Sequence, residues 1–375
     1  MPAVSRYIVP GGGQPAPPDG KDAIMKIVVL AGGLSPERVV SLATGANVCR
    51  ALRKLGHRAV FVDMFLGIEE PPADLKTLFD APDGLCGSGE IAAAAPDLAA
   101  VRASRRDQGP SRFGPGVLEL CALADIVFLG LHGEDGEDGR IQAAFDLLGI
   151  RYTGSGYLAS GMAMDKTAAK SVMIASGIPT PEWKVLDYRP EEAGRLAEEL
   201  PVPCVVKAAR GGSSLGVCLP EDRESLRKAL EELPAYGGKI FWEERVYGRE
   251  LTVPVLGDRA LPPVEILPAG KEFDYAAKYQ AGGAREICPA DITEAERALL
   301  ADLALRLHHA LGLEVYSRTD FILDGDGRPW CLEVNSLPGM TAGSLIPKAA
   351  GAVGMSYEAL CEEVVQLSYD VKRRD

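Results

Sequence analysis

Asp320, Glu333 and Asn335 lie close together in the stretch Ser317 to Leu345, SRTDFILDGDGRPWCLEVNSLPGMTAGSL. All three carry hard oxygen donors. Two carboxylates and an amide brought to one point would repel, and burying them would be costly, unless a cation sat between them. Mg²⁺ suits such a set, because it takes few protein oxygens and completes its octahedron with water and nucleotide phosphates. The competing reading is a solvated hairpin face, where acids are ordinary, and alternation alone does not separate the two. A Pro-Gly turn and then Ser344 and Leu345 follow the donors. Exposed backbone N–H groups there could receive an anion.

Upstream, RGGSSLG at 210–216 has the composition of a phosphate cradle. It lacks the Gly-Lys-Ser/Thr ending of a P-loop, so a serine-glycine lid over a triphosphate fits better, with a plain surface turn as the alternative. Lys207 ends an apolar stretch, which is unusual for a lysine without an anionic partner. Lys166 opens a helix, where it would oppose the local dipole unless an anion lay near. In FWEERVYGREL, Glu243 and Glu250 could take ribose hydroxyls and a metal-linked network, or could be ordinary strand acids. The segment FDYAAKYQAGGAREICPA, 273–290, suits a closing loop that excludes water.

The elements that must position these groups follow from the pattern. FILD and WCLEVN read as strands joined by the turn DGDG. Strict alternation puts Phe321, Leu323, Trp330, Leu332 and Val334 in a core and Asp320, Glu333 and Asn335 opposite. MKIVVLAGG (25–33), AVFVDMF (59–65) and ADIVFLGLHG (124–133) read as buried strands. SPER opens a helix with Ser35 as N-cap and Pro36 in the first helical position; GRIQAAFDLLG is another helix. This predicts an open parallel α/β sheet with its ligand crevice at the strands' carboxyl ends, where Glu37 and His132 arrive. Expected units are a disordered extension at 1–24, an N-terminal α/β domain at 25–154 elaborated at 69–117, a central domain at 155–238, and a C-terminal domain with the metal site at 239–375.

With 375 residues, 47% of them hydrophobic, two or three such domains can each bury a core. A net charge of −13 argues against a duplex nucleic-acid binder. No apolar run approaches the ~20 residues of a membrane span, and the N-terminus lacks the apolar core of a signal peptide. The eight cysteines show no CxxC spacing and read as reduced core thiols of a cytoplasmic protein.

The motifs IVVLAGGLSPERVVSL, LHGEDGEDGRIQ, YTGSGYLASGMAMDKTAAK, RGGSSLG, DYAAKY, RTDFILD and LEVNSLPGMTAGSLIP occur together and in order. In them the chain, from Met25 onward except 69–117, resembles the D-alanine–D-alanine ligases of bacterial peptidoglycan synthesis, members of the ATP-grasp superfamily. The resemblance implies a three-domain α/β fold: an open parallel N-terminal domain followed by two α+β domains enclosing the nucleotide. It implies ATP and two Mg²⁺ (or Mn²⁺), D-alanine as substrate, a cytoplasmic homodimer, and neither nucleic acid nor membrane as partner. Carried over, Glu37 would orient the amine of the first D-alanine and His132 its carboxylate, with Ser213 and Tyr279 tying two loops to Glu37. Lys166, Lys207, Ser214, Glu243, Glu244, Val246, Glu250 and Lys278 would contact ATP, and Asp320, Glu333 and Asn335 would hold the metals. Arg318 and the Gly339 N–H would stabilise the oxyanion, and Ser344 and Leu345 would hold the second substrate's carboxylate.

Three positions depart from the family: Val39 and Gly212 stand where acids are usual, and Glu244 where lysine is. They leave open a related ATP-grasp carboxylate–amine or depsipeptide ligase with a different acceptor. Tyr279 matches the dipeptide-forming members, and intact metal residues and Arg318 argue against a nucleotide-binding regulator without turnover.

Overall fold

The sequence KIVVLA shows no alternation because both faces of its strand are covered: Ile27 to Ala31 are all buried. This strand, β1 (Lys26–Ala31), lies between β2 (Arg58–Asp63) and β3 (Ile126–Leu129), all three parallel. The computed structural model describes residues 23–81, 86, 96–208, 216–233, 239–268 and 284–373. Most of the expected extension at 1–24, and parts of the 69–117 elaboration, lie outside them. With β1 central, the chain leaves it toward β2 through the helix Arg38–Lys54 and later returns to its other side at β3, so the topological switch point falls at the carboxyl ends of β1 and β3.

That first helix begins later than its capping pattern predicts. Glu37 occupies the N-cap position, and the Ser35 hydroxyl donates instead to the His132 carbonyl at 2.8 Å. A serine hydroxyl can satisfy any nearby backbone group, and here the loop after β3 competes better than the helix's own N–H groups. The turn before it is closely backed. A Cβ on Gly32, which has φ +77°, would lie 2.5 Å from Asp63 Oδ2, and Asp63 in turn pairs with the buried Arg38.

A second sheet is antiparallel, with β4 (Trp183–Leu186), β5 (Cys204–Ala208), β6 (Val217–Cys218) and β7 (Ile240–Glu244) in the order β4-β7-β5-β6. Leu226 and Leu230 of the helix Arg223–Glu232 pack on its Val206 and Trp242. Two details differ from the expected division at 238/239. Strand β7, expected in the third unit, hydrogen-bonds between β4 and β5. Helices Tyr157–Met164 and Lys166–Ala175, expected in the central unit, put Ala163, Ala169 and Met173 into the core under the third sheet.

That third sheet comprises β8 (Arg249–Leu256), β9 (Arg259–Ala260), β10 (Val264–Pro268), β11 (Ala284–Ile287), β12 (Tyr316–Leu323) and β13 (Pro329–Asn335). Its order is β11-β10-β8-β12-β13, with β9 paired to β8. Leu300, Leu303 and Leu307 of the helix Glu294–Ala310 cover its apolar face. The hairpin β12–β13 forms as predicted but is not regular. Phe321 stands opposite Cys331 and Asp320 opposite Glu333, so Leu332 is an extra residue in β13. Such a bulge reverses which side later residues face. Cys331 and Val334 therefore enter the core, while Trp330 and Leu332, expected there by strict alternation, are only half-buried. Trp330 instead donates its Nε1–H to Asp324 at 2.8 Å.

The N-terminal sheet and the last helix, Tyr357–Asp370, share one core through Val28, Phe128, Leu360 and Val364. His57 meets Glu362 at 2.6 Å, and Arg373 donates to the Tyr152 carbonyl at 2.9 Å. The first and last parts of the chain thus share one packed core. Among the described residues no helix is long and apolar enough to cross a membrane.

Candidate active site

The bulge in β13 has a chemical result. Had β13 run regularly past Cys331, Glu333 would face the core; with Leu332 extra, it faces the same side as Asp320. Arg318, opposite Asn335, completes that face. Its guanidinium grips Asp320 bidentately, Nε to Oδ1 and Nη2 to Oδ2, both at 2.9 Å. Thr252 on β8 donates to Asp320 Oδ1 at 2.6 Å, and Asn335 Nδ2 lies 3.3 Å from Oδ2. The sequence reading missed Thr252, since a strand threonine carries no signal of its own. Among the described residues no three His, Cys, Asp or Glu side chains form a metal cage. Two carboxylates and an amide on one face are the partial donor set that Mg²⁺ uses when phosphates and water supply the rest, so the residues fit that ion.

The parallel sheet brings a second group of side chains. Glu37 is buried beside the loop after β3: a Cβ on Gly133, whose φ is +73°, would lie 2.8 Å from Glu37 Oε2. His132 has both ring nitrogens engaged, Nδ1 with the Leu337 carbonyl and Nε2 with Thr44 Oγ1, each at 3.0 Å. A carbonyl only accepts, so Nδ1 carries the proton and Nε2 accepts from the threonine. Burial pulls the imidazole below its usual range, Arg318 adds to this, and Glu37 and Leu337 oppose it. His132 is therefore neutral at neutral pH, so it cannot attract a substrate carboxylate by charge. Glu137, also missed, accepts the Gly133 N–H at 2.8 Å. Burial and the charge of Glu37 push its carboxyl well above the normal carboxylate range, while Arg318 pulls it back. Its place within LHGEDGEDG was the available signal.

The four-stranded sheet supplies a third cluster. Glu243, on β7, gives one carboxylate oxygen to Lys170 and the other to Lys207, the latter at 3.0 Å. Both oxygens are spoken for and the residue is 2% exposed, which does not fit the expected ribose contact. Burial would raise this carboxyl, and the two ammonium groups outweigh it and hold it below its ordinary value. Lys166 is half-buried at the head of its helix, where Asp165 caps the Thr167 and Ala168 N–H groups at 3.0 and 3.2 Å. That carboxylate offsets the dipole which made the lysine conspicuous. Glu244 is exposed, with its N–H given to the Glu182 carbonyl at 2.8 Å. Val246 follows β7, and Glu250 is half-buried on β8.

After β13 the chain turns into the helix Leu345–Ala352, with Ser344 at its N-cap position. The Ser344 hydroxyl meets Thr341 Oγ1 at 2.8 Å and does not cap its own helix. A Cβ on Gly339 would press within 3.0 Å of that same hydroxyl. Gly339, Ser344 and Leu345 are therefore drawn together at a helix N-terminus, which favours a carboxylate. Gly212, Ser213, Ser214, Lys278 and Tyr279 lie outside the described residues.

Two family models match, D-ala D-ala ligase N-terminus over residues 26–155 and D-ala D-ala ligase C-terminus over 172–366. The chain belongs to the D-alanine–D-alanine ligase family. Among similar proteins, the D-alanine–D-alanine ligase of Oleidesulfovibrio alaskensis is 40% identical, the match covering 92% of this chain and 96% of that one. That of Pediococcus pentosaceus is 39% identical over 91% and 97%. The crystal structure of the Bacillus anthracis ligase complexed with ATP superposes with a TM-score of 0.68 at 29% identity, covering 92% of this chain and 97% of that one. The expected fold class, a mixed α/β ATP-grasp architecture with a parallel first sheet and antiparallel sheets after it, is thereby met.

Proposed function

We infer that the chain is an ATP-dependent ligase that joins two D-alanines into D-alanyl-D-alanine, the dipeptide of peptidoglycan synthesis, with release of ADP and phosphate. The observation that carries this reading is the face formed by Arg318, Asp320, Glu333 and Asn335 on the third sheet. Family membership and the ATP-bound Bacillus relative support the nucleotide.

The geometry supports the following division of labour. Glu37 would take the ammonium of the first D-alanine, whose carboxylate attacks the γ-phosphate and expels ADP. Lys166, Lys207 and Arg318 offset the charge that keeps these anions apart. Asp320, Glu333 and Asn335 would hold Mg²⁺, which when bound screens the phosphates and orients them for transfer. The acyl phosphate so formed must be kept from water, the role proposed for the loops bearing Ser213, Ser214, Lys278 and Tyr279. The second D-alanine lays its carboxylate on the N-terminus of the helix Leu345–Ala352, beside Ser344. Its neutral amine then attacks the acyl carbonyl, the Arg318 guanidinium and the Gly339 N–H receive the oxyanion, and phosphate leaves. His132, neutral and bonded on both nitrogens, would wall the first amino acid and hold the Leu337 backbone in place.

We further propose a homodimer in the cytoplasm, where ATP is abundant; light scattering of the purified chain tests the first. ADP release measured across D- and L-amino acids and D-lactate tests the activity. Turnover with D-alanine alone, yielding the dipeptide, is expected; no D-alanine-dependent release would overturn the reading. A ligase with another acceptor is the second reading. Val39, half-buried two residues beyond Glu37 where the family usually has an acid, is what favours it, and preference for a different amine or hydroxyl in the same assay would select it.

A further inference from the structure

Lys170 was not conspicuous in the sequence, being one lysine in the middle of a helix. In the fold its side chain is 1% exposed, against 2% for Glu243 and 10% for Lys207. Its ammonium donates to Glu243 Oε1, to Thr180 Oγ1 and, at 3.2 Å, to the Cys331 carbonyl just before the bulge that aims Glu333. Two lysines thus share one buried carboxylate; burial pulls the Lys170 ammonium below its usual range and Glu243 opposes this, and with both lysines protonated the trio carries a net positive charge. Lys207 is the least buried of the three, and its ammonium also lies within electrostatic reach of Glu333 on the other sheet.

We infer that Lys170 is a positioning residue for nucleotide phosphates: by neutralising Glu243 from behind, it leaves the Lys207 charge uncompensated toward the triphosphate. This rests on the ATP reading above. A carboxylate with a single lysine would form a neutral pair, and the charge of Lys207, already 3.0 Å from Glu243, would then be cancelled there. With Lys170 present, Glu243 anchors Lys207 without cancelling it. Lys170 also touches the backbone of β13, so the same ammonium sets the phosphate-facing cation and the metal-facing strand against a common point.

The test compares ADP with adenosine by calorimetry, in the full chain and without turnover. Lys170→Met should weaken ADP by about tenfold or more, the scale of a lost contact to a charged group, and leave adenosine within about twofold. Adding Glu243→Gln restores the net charge of the trio, so the double variant should bind ADP within about threefold of wild type. Lys170→Arg, which keeps the cation, should do the same. Equal weakening of ADP and adenosine would mark a structural prop, and an unchanged ADP affinity, or a double variant no better than Lys170→Met, would equally overturn the proposal. Should Lys170→Met not fold, a tenfold loss of ADP binding in the double variant would overturn it alone. Failure of the wild-type chain to bind either nucleotide is the distinct result that removes the ATP reading and this inference with it.

Discussion

Asp320 and Glu243 are both buried carboxylates held by cations, yet they are held in opposite ways. The partner of Asp320 is Arg318, two residues along the same strand, with Thr252 and Asn335 completing the ring. All of these lie on one face of the sheet, beside Glu333. Glu243 is gripped by lysines from two separate elements, the helix Lys166–Ala175 and β5, with its carboxylate closed from solvent. A same-strand pair can be loosened by a ligand without moving the fold. A pair that ties separate elements cannot. The first arrangement suits a group that must exchange partners during reaction, the second a fixed mount.

Substitutions can break that distinction or sharpen it. Asp320→Asn should lower kcat by about 10³-fold, the several kcal/mol that metal-assisted charge stabilisation contributes, with little change in the urea midpoint. Near-normal turnover would remove the metal role. Glu243→Gln should do the reverse in emphasis. It leaves two ammonium groups buried around a neutral amide, so unfolding should become easier by about 3 kcal/mol. A urea titration showing no loss would mean the cluster is not a mount. Arg318→Lys keeps the charge but loses the bidentate fork, and about a 10²-fold fall in kcat is expected in steady-state assays.

The smallest effect concerns acid. Burial lowers His308, which lies behind β12 against Ser317, to about 4. The unfolded imidazole takes its proton near pH 6.5, so stability is lost as pH falls from there toward 4. Glu243, whose carboxyl is depressed, contributes stability that goes only at lower pH, as it falls from about 4.5 through the folded value. His308→Gln should flatten the upper window by at most about 3 kcal/mol and leave the lower one intact. Urea midpoints followed from pH 7 to pH 4 would show it; an unaltered slope would place the upper window elsewhere.

Much of this was legible in the chain. The buried strands around Ile27 and Phe128, the hairpin, and the arrival of Glu37 and His132 at the crevice all follow from periodicity and turn chemistry, because each is a local property. What was not legible depends on partners distant in sequence. Strand β7 joins the second sheet because β4 and β5 are free to receive it, a fact absent from IFWEE itself. Lys170 reads as a solvated helix lysine until Glu243 and the Cys331 carbonyl are brought to it. Ser35 reads as a cap until the His132 carbonyl offers a better acceptor. Alternation misplaced Trp330 and Leu332 because an extra residue in a strand leaves no mark in composition.

That extra residue has a bearing on how the chain can vary. Because Leu332 is the surplus residue, its loss would only regularise the ladder with Glu333 still opposite Asp320, whereas the loss of Val334 would turn Asn335 toward the hydrophobic interior and disable the enzyme without deleting any group that meets substrate. A change of length in the adjoining DGDG turn carries no such penalty. Natural insertions and deletions in this hairpin should therefore gather at its tip and spare the arm from Glu333 to Asn335.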